Sequence, residues 1–182
     1  MELERIFVTL LFMATSCLYA QKYTTKTGVV KFEATVPSFE EVAGENKTVS
    51  AAFDTATGDI AVLALMKGFR FKVALMEEHF NENYVESDKF PKATFKGKVE
   101  GLDVSKLTAD AKTYTITGDL TLHGKTKKIS DTAKISKSGN TITITGAFEV
   151  KPGDFAIEIP SVVSKKVADK ISITYKFQLV KP

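Results

Sequence analysis

The chain has 182 residues with 43% hydrophobic and 26% charged side chains, a composition of one folded domain and not of a disordered segment. Its 25 Lys and Arg stand against 22 Asp and Glu, a net charge of +3. That excess is too small, and the lysines too scattered, for a nucleic-acid-binding stripe.

The first element is an address. Ile6 to Ala20 is one apolar run of 15 residues, followed by Gln21-Lys22-Tyr23. As a helix it would rise about 22 Å, short of a hydrocarbon core of roughly 30 Å. It suits the apolar region of a secretory signal peptide at 1–20, with cleavage after Ala20, although Glu2 and Glu4 outweigh Arg5 in front of it. The only cysteine, Cys17, lies inside the run. Cleavage leaves the mature domain, 21–182, without a disulfide; the alternative makes Cys17 a lipidated N-terminus.

The remainder has a period of two. Val30, Phe32 and Ala34 form one apolar row, and Val49, Ala51 and Phe53 the next. Gly58 to Lys67 is apolar at both parities, which predicts a strand covered on both sides. From Lys72 to Val85 the pattern changes: Met76, Phe80 and Tyr84 recur every four residues, predicting a short amphipathic helix across one barrel end. Ala93, Phe95, Gly97 and Val99 resume the alternation. Tyr114 to Leu122, residues 126–135, Ile142 to Val150 and Ile171 to Leu179 complete about eight half-buried strands. Asp131 falls on an apolar parity, which predicts a bulge or a strand end there. Gly118 and Gly146 stand on inward parities, where barrel closure needs sharp coiling. Pro152 and Pro160 predict an irregular or helical piece between 151 and 168.

Chemistry-bearing clusters are few. His79 and His123 are far apart, and the mature chain offers no thiol, so no metal site and no catalytic residue are assigned. Parity places His123 on the polar face, a solvated histidine entering a turn. His79 borders the helical stripe; it is read first as structural, and otherwise as capping a pocket or hydrogen-bonding a ligand headgroup. Glu77, Glu78 and Glu82 read as a solvated helix face, and Asp154 has no obvious partner. The inward aromatics Phe32, Phe53, Phe95, Phe148, Tyr175 and Phe177 either fill a barrel or line a cavity in it.

Three strings then resemble the YceI-like family in its own order: Glu78 to Tyr84 with Glu86 to Phe95, Thr117 to Lys127, and Gly153 to Ile157. The resemblance covers most of the chain after the leader. It implies an all-β, eight-stranded antiparallel, lipocalin-like barrel with one or two short helices. It also implies a periplasmic or secreted location and an interior holding a polyisoprenoid or the tail of a quinone, with the headgroup near the mouth. The expected lining is Phe32, Phe53, Met76, Phe80, Tyr84, Phe95, Leu120, Leu122, Phe148, Phe155, Tyr175 and Phe177. No cofactor, nucleic-acid partner or membrane span of the mature chain is expected; a second copy of the chain is admitted as a partner. The alternative is a structural or stress-related envelope domain with a filled barrel. The sequence departs from the family at Met76-Glu77, where Arg-Asp is usual, at Tyr23 in place of Trp, at the aromatic run reduced to Tyr84, and at Ala156 in place of Gly. A forty-carbon chain at about 0.3 kcal/mol per heavy atom would reach roughly 12 kcal/mol, near nanomolar affinity.

Overall fold

The computed structural model describes residues 22–37 and 39–181; the expected signal peptide and Cys17 lie outside the described residues. Eight strands follow in chain order: β1 (Lys22–Thr35), β2 (Ala43–Asp54), β3 (Asp59–Leu65), β4 (Lys92–Val99), β5 (Lys112–Leu122), β6 (Lys125–Ser138), β7 (Thr141–Val150) and β8 (Val167–Val180). Each pairs antiparallel with the next, and β8 pairs with β1, so the sheet closes into a barrel, although β6 and β7 pair only from Ser138↔Thr141 to Lys134↔Thr145.

A meander of this kind divides its connections between two ends. The β1–β2, β3–β4, β5–β6 and β7–β8 connections share one end, called the mouth below. The termini and the other three connections share the opposite end. The β5–β6 connection is the two-residue turn His123-Gly124, both at positive φ (50° and 71°), the signature of a type I′ hairpin. The β3–β4 connection holds α1 (Ala74–His79), which widens at once into a π-helical turn at Phe80–Tyr84. The Val85 N–H donates to the Phe80 carbonyl at 2.9 Å, five residues back. The helix predicted over 72–85 is therefore an α-helical turn and a half followed by a π turn. The β7–β8 connection holds a 3-10 turn at Pro152–Phe155 and the short helix α2 (Ser161–Ser164).

Inward rows divide the interior into two halves. Toward the termini, Val49, Phe53, Ala133, Ile135, Ile142, Ile144 and Leu179 are fully buried against one another. Toward the mouth, β6, β7 and β8 point Ile129, Phe148 and Ile173 at open space, and β5 adds Leu120.

Two expectations are corrected. β3 is not covered on both sides: Leu63 and Leu65 face outward at 36% and 54% exposure, because no helix or second sheet packs outside them. Asp131 marks neither a bulge nor a strand end. The β5–β6 register runs unbroken through Ile116↔Asp131, so parity turns Asp131 inward. The bulges lie in β1, between Thr25 and Gly28 and between Gly28 and Val30.

Gly118 answers a steric need besides coiling. It pairs with Gly97 across β4 and β5, and a Cβ on it would stand 2.4 Å from the Gly97 Cα and from the Lys96 carbonyl oxygen, and 2.7 Å from the Phe95 ring. The strand pair carries the Phe95 ring over two bare backbones, where it contributes to the cavity wall.

Candidate functional site

The mouth half of the barrel encloses a cavity of about 390 Å³, within the range of small-molecule sites. Its wall is built by the inward rows of every strand except β2, which is screened by the β3–β4 connection crossing in front of it. Asn46 fixes that crossing: its side-chain amide, fully buried, donates to the Leu65 carbonyl at 2.9 Å, and its Oδ1 accepts from the Thr48 backbone N–H and hydroxyl, each at 2.9 Å. Glu45 and Arg70 exchange backbone hydrogen bonds just beyond it.

Four phenylalanines gather beneath the helical cover. Phe32 from β1 and Phe80 from the π turn stack at 5.2 Å between ring centroids. Phe69 and Phe71, from the segment after β3, close around them at 5.1 to 5.8 Å. Contacts of this geometry stabilise beyond the area they bury. Glu77 clamps the cover from outside: one carboxylate oxygen accepts from the Arg70 guanidinium at 2.6 Å and the other from the Phe71 N–H at 3.2 Å. It is thus a structural ion pair and not a free general base. Lys72 pairs with Glu41 across the same rim.

Eleven of the expected lining residues face this cavity: Phe32, Met76, Phe80, Tyr84, Phe95, Leu120, Leu122, Phe148, Phe155, Tyr175 and Phe177. Phe53 does not. It is fully buried in the packed half, because its place on β2 lies toward the terminal end. Sequence reasoning missed Phe69 and Phe71, although their alternation around Arg70 was visible, and missed Val30, Ile157 and Ile171. His79 lines the cavity from α1 and is otherwise exposed.

The expected solvated His123 is a correction. Its side chain is 10% exposed and ties three segments together. Nδ1 lies 3.0 Å from the Phe155 carbonyl oxygen, and Nε2 lies 2.7 Å from a Glu86 carboxylate oxygen. Both partners are acceptors, so the doubly protonated ring satisfies both and a neutral ring only one. The hydrogen bond from His123, with the charge of Lys89 adding to it, holds the Glu86 carboxyl below its ordinary range, against the opposing effect of desolvation. Parity misled here because the positive φ of His123 turns it off the strand and under the Phe90 ring, 4.4 Å away. Among the described residues, the non-glycine positive-φ positions are Glu86, His123 and Ala156, all in or beside this tie. Asp154 also finds a partner, Lys127 at 3.8 Å.

Asp131 and Tyr175 form the cavity's one inward polar pair. The Tyr175 hydroxyl donates to the Asp131 carboxylate at 2.6 Å. Burial first, then the hydrogen bond and charge of Asp131, push the Tyr175 hydroxyl well above its ordinary range, so it stays a donor. Among the described residues no group of three or more His, Cys, Asp or Glu is placed to hold a metal ion, and no helix is long and apolar enough to cross a membrane.

The model of the YceI-like domain matches residues 21–179. Several solved structures share the architecture. A polyisoprenoid binding domain from Saccharophagus degradans, implicated in plant cell wall breakdown, superposes with a TM-score of 0.77 at 13% identity, over 89% of this chain and 99% of that one. Burkholderia cenocepacia BcnA gives 0.68 at 19% identity, over 89% and 98%. A Campylobacter jejuni YceI protein gives 0.59 at 19% identity, over 79% and 88%. At these identities the likeness establishes the fold. No curated protein matches the chain.

Proposed function

The chain belongs to the YceI-like family, and on that premise we propose that it is an exported carrier that holds a long isoprenoid or similar apolar lipid, quinone tails included, in the mouth half of its barrel. The observation that carries this reading is the division of the interior. One half is filled by fully buried side chains, while the other, with the same inward parity, leaves about 390 Å³ lined mostly by Phe, Ile, Leu, Val and Met. Apolar space of this kind gains free energy when an apolar chain fills it, at about 25 cal/mol per Å² removed from water. The name of the Saccharophagus degradans relative, a polyisoprenoid binding domain, agrees with that ligand class. The alternative of an envelope domain with a filled barrel accounts for the packed half alone.

Export rests on the apolar run Ile6 to Ala20, and the location it implies is periplasmic or extracellular. The carrier reading assigns no catalytic residue and no cofactor. Binding proceeds by burial of the chain among the aromatic rings, with the β3–β4 cover moving to admit it.

The test is native purification from an exported preparation, organic extraction and mass spectrometry. A stoichiometric isoprenoid or quinone is expected. A protein that is empty as isolated, and that also fails to take up added isoprenoids, rejects the carrier reading in favour of a structural role.

A further inference from the structure

The β6–β7 ladder is short. It runs from Ser138↔Thr141 to Lys134↔Thr145 and stops, although both strands continue toward the mouth. Asp131 lies on β6 just past that point, and Gly146 on β7 just past it on the other side. Tyr175 is the cross-strand partner of Gly146 on β8. A Cβ on Gly146 would stand 2.2 Å from the Tyr175 hydroxyl oxygen and 2.6 Å from Asp131 Oδ2. The missing side chain therefore lets the phenol cross β7 and reach the carboxylate.

A pin across the open seam would need only one hydrogen bond, which an amide or a hydroxyl could accept as well. The residue present is a carboxylate, with room for about four hydrogen bonds. Two acceptor positions are used, by Tyr175 and by the Thr132 backbone N–H at 2.6 Å. Asp131 lines the cavity, whose floor is otherwise Ile60, Ile116 and Phe177. The basic side chains that touch the cavity, Lys166 and His79, belong to the connections at the mouth. Among the described residues no cation lines the floor beside it, and a half-buried carboxylate with spare acceptors on an apolar wall favours a donor.

We propose that Asp131, positioned by Tyr175 over Gly146, is the anchor for a hydroxyl group on the lipid. The ligand class is then an isoprenoid alcohol or an isoprenoid phenol, bound with its hydroxyl at the cavity floor and its chain toward the mouth. This reverses the orientation expected from the sequence, which put the headgroup at the mouth beside His79. The same carboxylate excludes an inward-facing phosphate or carboxylate by like-charge repulsion at short range. The inference rests on the carrier reading above and adds head chemistry and direction to it.

The experiment measures binding of geranylgeraniol, its methyl ether and geranylgeranyl phosphate to the purified protein. The ether keeps the chain and removes the donor. The wild-type protein is expected to bind the alcohol at least tenfold more tightly than the ether, and the phosphate more weakly than either. In Asp131→Leu the alcohol weakens about tenfold and the ether does not, so their ratio falls to near one. Should that variant not fold, Asp131→Asn, which keeps the shape and the bond from Tyr175, lowers the ratio severalfold. Equal affinity of the wild type for alcohol and ether overturns the anchor and leaves the carrier reading standing. Phosphate binding as tight as the alcohol also overturns it. Failure of all three probes to bind the wild type overturns the anchor, and together with an isolated protein empty of lipid it overturns the carrier reading as well.

Discussion

Ala156 shows how a single residue carries a cost of position. Its φ is 54°, and it ends the 3-10 turn whose Phe155 carbonyl receives His123. A side chain in that left-handed region costs about 1–2 kcal/mol, which a glycine avoids while losing some freedom on folding. The family's usual residue at this point is glycine, so the sequence departure and the backbone angle describe one fact. Ala156→Gly is expected to stabilise the protein by about 1 kcal/mol. A chemical-denaturation series checks this, and an unchanged or lower midpoint with equal slope would sink the idea. His123 makes the opposite point. Its strand parity suggested a solvated histidine entering a turn, and only the approach of Glu86 and Phe155 from distant segments makes it a tie.

At the scale of elements, the segment between β3 and β4 decides access. Its helix α1 buries no residue completely, and its hold on the barrel comes from the Phe80 ring, the Glu77 clamp and the Glu86 tie. Elements held by few buried contacts open locally before the whole molecule unfolds. Phe80→Ala removes one ring from four and is expected to cost about 2–3 kcal/mol, less than a fully buried phenylalanine because the site is half-buried. Hydrogen exchange gives the sharper reading. Amides from 74 to 85 should exchange faster in the variant, while those of β7 and β8 stay protected. Equal acceleration in both regions would mean that the cover and the barrel unfold as one unit.

Across the whole molecule, stability and binding are assigned to different halves of one barrel. Ile144 belongs to the fully packed half, and Ile144→Ala is expected to cost about 2–5 kcal/mol while leaving the cavity wall in place. Ala93 belongs to the hollow half, opposite Ala64 in the β3–β4 register. Ala93→Phe fills empty space, so uptake of geranylgeraniol should be lost with the folding midpoint unchanged or raised by about 0.5–2 kcal/mol. Thermal denaturation and ligand titration on the two variants separate these outcomes. Loss of binding in both, or of stability in both, would show that the halves are not independent.

Strand number and most of the inward parity were legible in the residues themselves, because alternation along Tyr114 to Leu122 or Ile171 to Leu179 is local and has a period of two, whereas β1 and β2 begin well before the rows Val30 to Ala34 and Val49 to Phe53 that announced them. The amphipathic stripe Met76, Phe80, Tyr84 was legible for the same reason. Membership of the YceI-like family was carried by short strings that keep their order along the chain. What the residues could not show depends on height within the barrel and on partners far away in sequence. Parity turned Phe53 and Phe95 inward alike, and only the stagger of the closed sheet sent one into the packed half and the other onto the cavity wall. Asp131 looked like an error of pattern until closure brought Tyr175, 44 residues away, across Gly146 to meet it. A strand's face is a property of its neighbours in the chain, whereas a cavity, its floor and its one polar pair exist only once eight strands have closed on each other.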